Sequence, residues 1–287
     1  MKLTLKGHLT YISTGGKKPS TENLAIIFLP GSGQSHLTFV LQTRFFAFEG
    51  YDVYAPDFPG HGLSKGNPLN TIEEMADWVA ELMAQCNLKS AIIVGHSQGC
   101  LVAIALAHKY PDLAEKLILI AGALQIKVND YLLDKSSSSL PLAVKMMTEW
   151  GHGRQGHFFA ASQPGHSLLG IGRELMMANV QEALHADLLA CNQFDATNIA
   201  AEIEVPVLCI LAKNDKMTPA KLGVKMSSAF KNSTCAFKLL FSFSKVLICS
   251  SYTVIIFIGH LLHGFQNSEH QTLHQDISFL TSQHYLL

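Results

Sequence analysis

Charge is in short supply in this chain: Lys and Arg number 21 against 22 Asp and Glu, a formal net charge of −1 over 287 residues. Such a balance gives no strong field to gather phosphates or an anionic bilayer, which argues against a nucleic-acid partner and for a small, largely uncharged one. A cysteine framework is lacking too. Cys86, Cys100, Cys191, Cys209, Cys235 and Cys249 are scattered, with no CxxC pair and no His at zinc-finger spacing, so they read as free thiols, mostly buried. The opening Met1 to His8 lacks the apolar h-region and small-residue cleavage site of a secretory signal, and a reducing, cytoplasmic setting is expected. One run, Val246 to Leu262, lacks Asp, Glu, Lys and Arg altogether. Ser250, Ser251, Tyr252 and His260 interrupt it, and a span needs roughly 20 apolar residues, so a membrane anchor is disfavoured.

What the chain does have is apolar material, 48% of its residues, enough for a sizeable core. Short β-rich runs recur at Leu24 to Leu29, Tyr51 to Ala55, Ala91 to Val94, Leu117 to Ile120 and Val207 to Leu211. Each is short, largely apolar and bounded by Pro, Gly or Asp, with helical patterns between several of them, the rhythm of a parallel sheet covered on both faces. Met1 to Ser13 alternates and is expected to be an edge hairpin. Thr71 opens a helix with Glu74 as its capping-box partner, and Ile72, Met75, Val79, Leu82, Met83 and Cys86 fall on one face. After Ile120 the rhythm breaks. Leu140 to Trp150 and Arg173 to Ala190 read as helices, with Ser136 to Ser139 a polar linker and Gly151 to Gly172 a Gly- and His-rich separator. The expectation is an α/β core in two parts, residues 1–121 and 205–287, with residues 122–204 inserted as a helical cap.

The chemistry-bearing motif is Gly95-His96-Ser97-Gln98-Gly99, directly after one apolar strand and directly before the helical run Leu101 to Lys109. A serine on a sharp strand-to-helix turn has strained backbone geometry, and glycines two residues either side let strand and helix approach. The turn lifts the Ser97 hydroxyl out of the sheet, where helix N-terminal amides stabilise negative charge. A second amide belongs after an earlier strand, and Pro30-Gly31-Ser32-Gly33 follows the strand ending at Leu29. The backbone N–H groups of Ser32 and Gln98 are the expected oxyanion donors.

With these motifs the sequence resembles the α/β-hydrolase superfamily, in its branch of cap-bearing serine esterases. Leu29 to Gly33, Asp57-Phe58-Pro59-Gly60-His61-Gly62-Leu63-Ser64, Gly95 to Gly99, and Leu211 to Pro219 carry the likeness. The resemblance implies Asp215, just past a strand, as the triad acid, and His260 in Gly259-His260 as the base, with His263 its nearest rival. His61 is expected to be architectural. Two departures stand out: Pro30 occupies the place usually held by His, and the stretch between Asn232 and Gly259 is longer than the family spacing by a very apolar piece.

The implied activity is hydrolysis of a small carboxylic ester through an acyl-enzyme on Ser97, with no metal or organic cofactor. His152, His157 and His166 are too irregularly spaced for a zinc site. Substrate choice would lie in the inserted segment, where Met146, Met147, Trp150, Phe158, Phe159, Met176 and Met177 offer an adaptable apolar surface. His185 and Asp187 are polar groups that could reach a substrate, with a solvated helix face as the first expectation. The same residues also fit cleavage of a C–C or amide bond, or a hydrolase-fold protein that binds a ligand without turnover. Oligomeric state leaves no trace in the sequence.

Overall fold

A computed structural model of the chain describes residues 1–20, 22–158, 168–213 and 215–238, with side-chain surroundings described outside residues 152–168 and up to 236. Eight strands form one sheet: β1 (Lys2–Leu5), β2 (His8–Ser13), β3 (Ala25–Leu29), β4 (Asp52–Pro56), β5 (Ala91–His96), β6 (Ala114–Ile120), β7 (Val207–Ala212) and β8 (Ser233–Lys238). Their spatial order is β1-β2-β4-β3-β5-β6-β7-β8. β1 and β2 make the antiparallel edge hairpin, turning at Lys6 and Gly7 with φ of 50° and 80°, and β2 joins β4 antiparallel. From β4 onward every pairing is parallel.

The unbroken apolar strands are buried on both faces, as all five residues of β3 and all six of β5 are. Alternate residues feed two cores. Ile27 and Leu29 pack with Trp78, Met75, Leu101 and Ile104 of the helices α2 (Ile72–Gln85) and α3 (Gln98–Lys109). Ile26 and Phe28 point the other way, toward Phe39 and toward Phe46 of α1 (Val40–Phe48). Thr71 caps α2 by accepting from the Glu74 N–H at 3.1 Å, while the Glu74 carboxylate accepts from the N–H of Asn70, one residue before the cap, at 2.8 Å.

Among the described residues, four α-helices lie between β6 and β7, α4 (Asp130–Ser138), α5 (Leu140–Phe158), α6 (Leu168–Met177) and α7 (Ala183–Gln193). They share a small core of Leu132, Val144, Met176, Leu184 and Leu188. Two expectations are corrected here. The serines taken for a linker close α4, which starts at an Asn129 cap whose side chain accepts from Leu132 N–H, and Pro141 stands where α5 takes over. The single helix expected over 173–190 is two, because Asn179 and Val180 are held by the 60–62 turn: Val180 N–H donates to Gly60 O (3.0 Å) and the Asn179 side-chain oxygen accepts from Gly62 N–H (2.9 Å). The last described helix is α8 (Ala220–Ser227).

The topology already localises a site. β3 is followed in the chain by β4 on one side and, after α2, by β5 on the other, so the order reverses at the β3/β5 boundary, with Leu29 beside Gly95. A crevice at the carboxyl ends of the strands opens at such a reversal.

Candidate active site

The turn after β5 carries Ser97 at φ 52°, ψ −114°, in the left-handed half of backbone space, where a non-glycine residue is held at a cost of about 1–3 kcal/mol. Its surroundings account for the two glycines. A Cβ on Gly95 would overlap the carbonyl of Gly99, and one on Gly99 would overlap the carbonyl of Leu29 in β3. Strand, turn and helix therefore meet backbone against backbone. Ser97 N–H donates to Ile120 O (2.9 Å), which locks the turn to β6.

The loop after β3 wraps against this turn. A Cβ built on Gly31 would stand 3.1 Å from the Cβ of Ser97. The Gln34 side-chain oxygen accepts from Gly31 N–H (3.2 Å), which fixes that atom as an acceptor, so His96 Nδ1 must donate to it at 3.0 Å. Burial lowers the His96 imidazole to about 4, and the ring is neutral beside Ser97. Gly31, Gly33 and Gln34 all have acceptors for their amides. The Ser32 N–H, among the described residues, has none, and the Gln98 N–H is a first-turn helix amide with no acceptor within its helix.

Asp215 follows β7 in a turn of its own. Its Oδ1 accepts from the N–H of Met217 (2.8 Å) and Thr218 (2.9 Å). The Thr218 hydroxyl lies 2.8 Å from Ala121 O and 3.2 Å from Asp215 Oδ2; its one proton serves the shorter bond, leaving Oδ2 with acceptor capacity. Burial raises the Asp215 carboxyl, and the hydrogen bonds from the Thr218 and Met217 N–H groups oppose it. Ala121, just past the end of β6, is also a non-glycine residue at positive φ, 50°.

Ser97, Ser32 and Asp215 line one cavity, together with Gly31, Gln34, His96, Ala121, Met147 and Met176. Ser97 and Ser32 also border a second, lined by Ile126, Val128, Leu132, Trp150, Leu188 and Cys191, with Lys127 and Lys216 at its exposed side. Met147, Met217 and Thr218 are shared by both. Of the apolar residues singled out between β6 and β7, Met147, Trp150 and Met176 thus reach the site; Met146 packs against the small core of α4 to α7 and Met177 is exposed. Phe158 and Phe159, His152, His157 and His166, Val246 to Leu262, His260 and His263 lie outside the residues whose surroundings are described.

Two polar residues were misjudged from sequence. Asp187 is buried, not solvated: its Oδ2 accepts from Gly33 N–H (2.7 Å) and faces His61 Nε2 (2.9 Å). His185 Nδ1 pairs with Ser136 Oγ at 2.8 Å. The His61–Asp187 pair is separated by 126 positions, so no spacing rule could have found it. Cys86, Cys100, Cys191, Cys209 and Cys235 are free thiols, and among the described residues no helix is long and apolar enough to cross a membrane.

Residues 25–242 match a family model described as alpha/beta hydrolase fold. Among curated proteins, mouse Protein ABHD8 is 26% identical over 261 residues, covering 86% of this chain and 56% of the relative. The chain thus spans little more than half the length of that relative. The bifunctional esterase/perhydrolase DCH of Acinetobacter calcoaceticus is 28% identical over 207 residues, 65% of this chain and 72% of that one. Among solved structures, the enol-lactonase from Burkholderia xenovorans LB400 superposes with a TM-score of 0.81 at 19% identity, over 92% of this chain and all of its own. That likeness concerns the fold.

Proposed function

The chain belongs to the alpha/beta hydrolase fold family, and from that premise we propose that it is a serine hydrolase cleaving small carboxylic esters, with Ser97 as nucleophile, Asp215 as acid and His260 as base. The observation that carries this reading is the strained Ser97 turn sharing one cavity with Asp215 and the Ser32 loop. Such strain persists where a side chain must be presented, and the order Ser, Asp, His along the chain is the family's. For His260 the support is sequence alone, the Gly259-His260 pair and its place after the acid.

In this mechanism Ser97 Oγ attacks the ester carbonyl carbon while His260 takes its proton, Asp215 Oδ2 accepting the imidazole's other N–H. The carbonyl oxygen, now negative, takes hydrogen bonds from the amides of Ser32 and Gln98, each worth about 3 kcal/mol in the transition state. Collapse breaks the C–O bond, and the leaving alcohol carries away the proton held by His260. Water then attacks the acyl-enzyme, gives its proton to the same imidazole, and the acid departs as Ser97 is reprotonated. The two cavities flanking Ser97 accommodate the two halves of an ester, acyl and alcohol. The names of the esterase and enol-lactonase relatives agree with bond cleavage of this class.

Hydrolysis of p-nitrophenyl esters of increasing acyl length tests the proposal. Saturable turnover by the wild type, lost in Ser97→Ala and reduced by orders of magnitude in His260→Ala, is expected. Turnover that survives Ser97→Ala removes Ser97 as nucleophile, and full activity in His260→Ala transfers the base role to His263.

A further inference from the structure

Both halves of the proposed oxyanion hole are tied to a single residue of the inserted segment. Asp187 stands on α7, buried, and its carboxylate Oδ2 accepts from the backbone N–H of Gly33 at 2.7 Å, one residue past Ser32. Its backbone carbonyl accepts from the Gln98 side-chain amide at 3.3 Å. The same region grips Gly33 from its other side: Asn179 Nδ2 donates to Gly33 O at 2.8 Å. Gly33 is at φ +68°, and a Cβ there would stand 3.0 Å from Leu184 Cδ1 of α7. The glycine's amide, carbonyl and open face are thus all taken up by residues between β6 and β7.

The carboxylate is itself held. His61 Nδ1 lies 3.0 Å from Pro59 O, which can only accept, and Nε2 lies 2.9 Å from Asp187 Oδ2. Both ring nitrogens therefore donate, the arrangement of an imidazolium paired with a buried carboxylate. Burial lowers the His61 imidazole, but Asp187, the Pro59 carbonyl and Asp57 outweigh it and hold the ring above its ordinary value.

We infer that Asp187 is a positioning residue for the oxyanion hole: it splints the Ser32–Gly33 loop to the head of α3, so that the amides of Ser32 and Gln98 keep a fixed separation through the reaction. The cap is in this view a working part of the hydrolytic machinery at its α7 side, and α7 stays seated while substrate enters elsewhere. An oxyanion hole works by preorganisation, and a loop free to turn its amide away loses transition-state binding while substrate binding persists. This inference rests on the serine-hydrolase reading for its kinetic consequence, and on geometry alone for the splint.

The test uses the full chain, p-nitrophenyl acetate as substrate and an aryl trifluoromethyl ketone as tetrahedral-adduct mimic, with thermal melts alongside. Asp187→Ala removes the acceptor, and kcat is expected to fall about 10- to 100-fold at nearly constant KM, with trifluoromethyl ketone affinity falling in step. Asp187→Asn keeps an oxygen able to accept from Gly33 N–H and is expected to retain kcat within about 5-fold while melting earlier, since it loses the ion pair. Ser136→Ala, which cuts the His185 tether of the same helix away from Gly33, controls for general loosening of the cap. Hydrogen exchange of a peptide spanning residues 30–38 reads the splint directly: faster in Asp187→Ala, unchanged in Ser136→Ala. A folded Asp187→Ala with wild-type kcat, or with unaltered exchange over residues 30–38, overturns the inference. If the wild type neither turns over ester nor binds the ketone, the hydrolase reading has failed, and the exchange comparison alone then decides whether the splint exists.

Discussion

The turns after β5 and β7 deliver their side chains to the same cavity by opposite means. The β5 turn is held by steric necessity: Ser97 sits at φ 52°, and Gly95 and Gly99 are glycines because backbone carbonyls occupy the space a Cβ would need. The β7 turn is held by hydrogen bonds, with Asp215 Oδ1 accepting from Met217 and Thr218 N–H and the Thr218 hydroxyl bound to Ala121 O. One turn tolerates no added atom, while the other tolerates any side chain that keeps an acceptor in place. Presentation of the proposed nucleophile and of the proposed acid therefore fail differently under mutation.

The largest contrast is expected from Gly99→Ala. Its Cβ meets the Leu29 carbonyl inside the sheet, where no side chain can swing aside, so folding should lose more than about 3 kcal/mol, read by urea melting or as loss of folded product. Asp215→Asn should instead fold with a near-wild-type melting temperature, its amide oxygen accepting the same two N–H groups, while kcat/KM for p-nitrophenyl acetate drops by about 10³- to 10⁴-fold through loss of imidazolium stabilisation. An Asp215→Asn variant that unfolds would erase the distinction between the two turns.

His96, neutral and buried under the β5 turn, makes that turn the one weakened by acid. Its folded-state value of about 4 lies below the ordinary 6.5, so as pH falls the unfolded chain takes up this proton first. Its stability contribution is complete above pH 6.5 and is lost between 6.5 and about 4, by roughly 3 kcal/mol, and His96→Gln should flatten that slope in chemical denaturation. The smallest effects sharpen the comparison further. Ser97→Gly should be more stable than Ser97→Ala by about 1 kcal/mol, because only glycine relaxes at positive φ. Thr218→Val should cost about 1 kcal/mol for its bond to Ala121 O, both read as shifts in urea midpoint.

The strands and the β5 turn were legible because their causes are local. Continuous apolar runs such as Ala25 to Leu29 announce strands buried on both faces, and two glycines around a serine announce a backbone crossing. The capping of α2 by Thr71 was legible for the same reason, though Glu74 reaches Asn70 and not the cap itself. What escaped was tertiary. Asp187 looks like one polar residue on a helix of mixed composition, and nothing near it in sequence reveals Gly33 or His61 as its partners. The break between α6 and α7 escaped likewise, since Asn179 and Val180 are claimed by a turn more than a hundred residues away. The Ser136 to Ser138 run was misread because serine favours turns by composition, whereas Asn129 capping and the pairing of Ser136 with His185 hold it helical.

The central claim, that Ser97 is an activated nucleophile, is tested most directly by incubating the purified full chain with a fluorophosphonate and locating the adduct by mass spectrometry. Stoichiometric modification at Ser97, absent in Ser97→Ala and slowed by orders of magnitude in Asp215→Asn and His260→Ala, is the result expected. A folded wild-type protein that stays unmodified, or one labelled equally well in the Ser97→Ala variant, would contradict it.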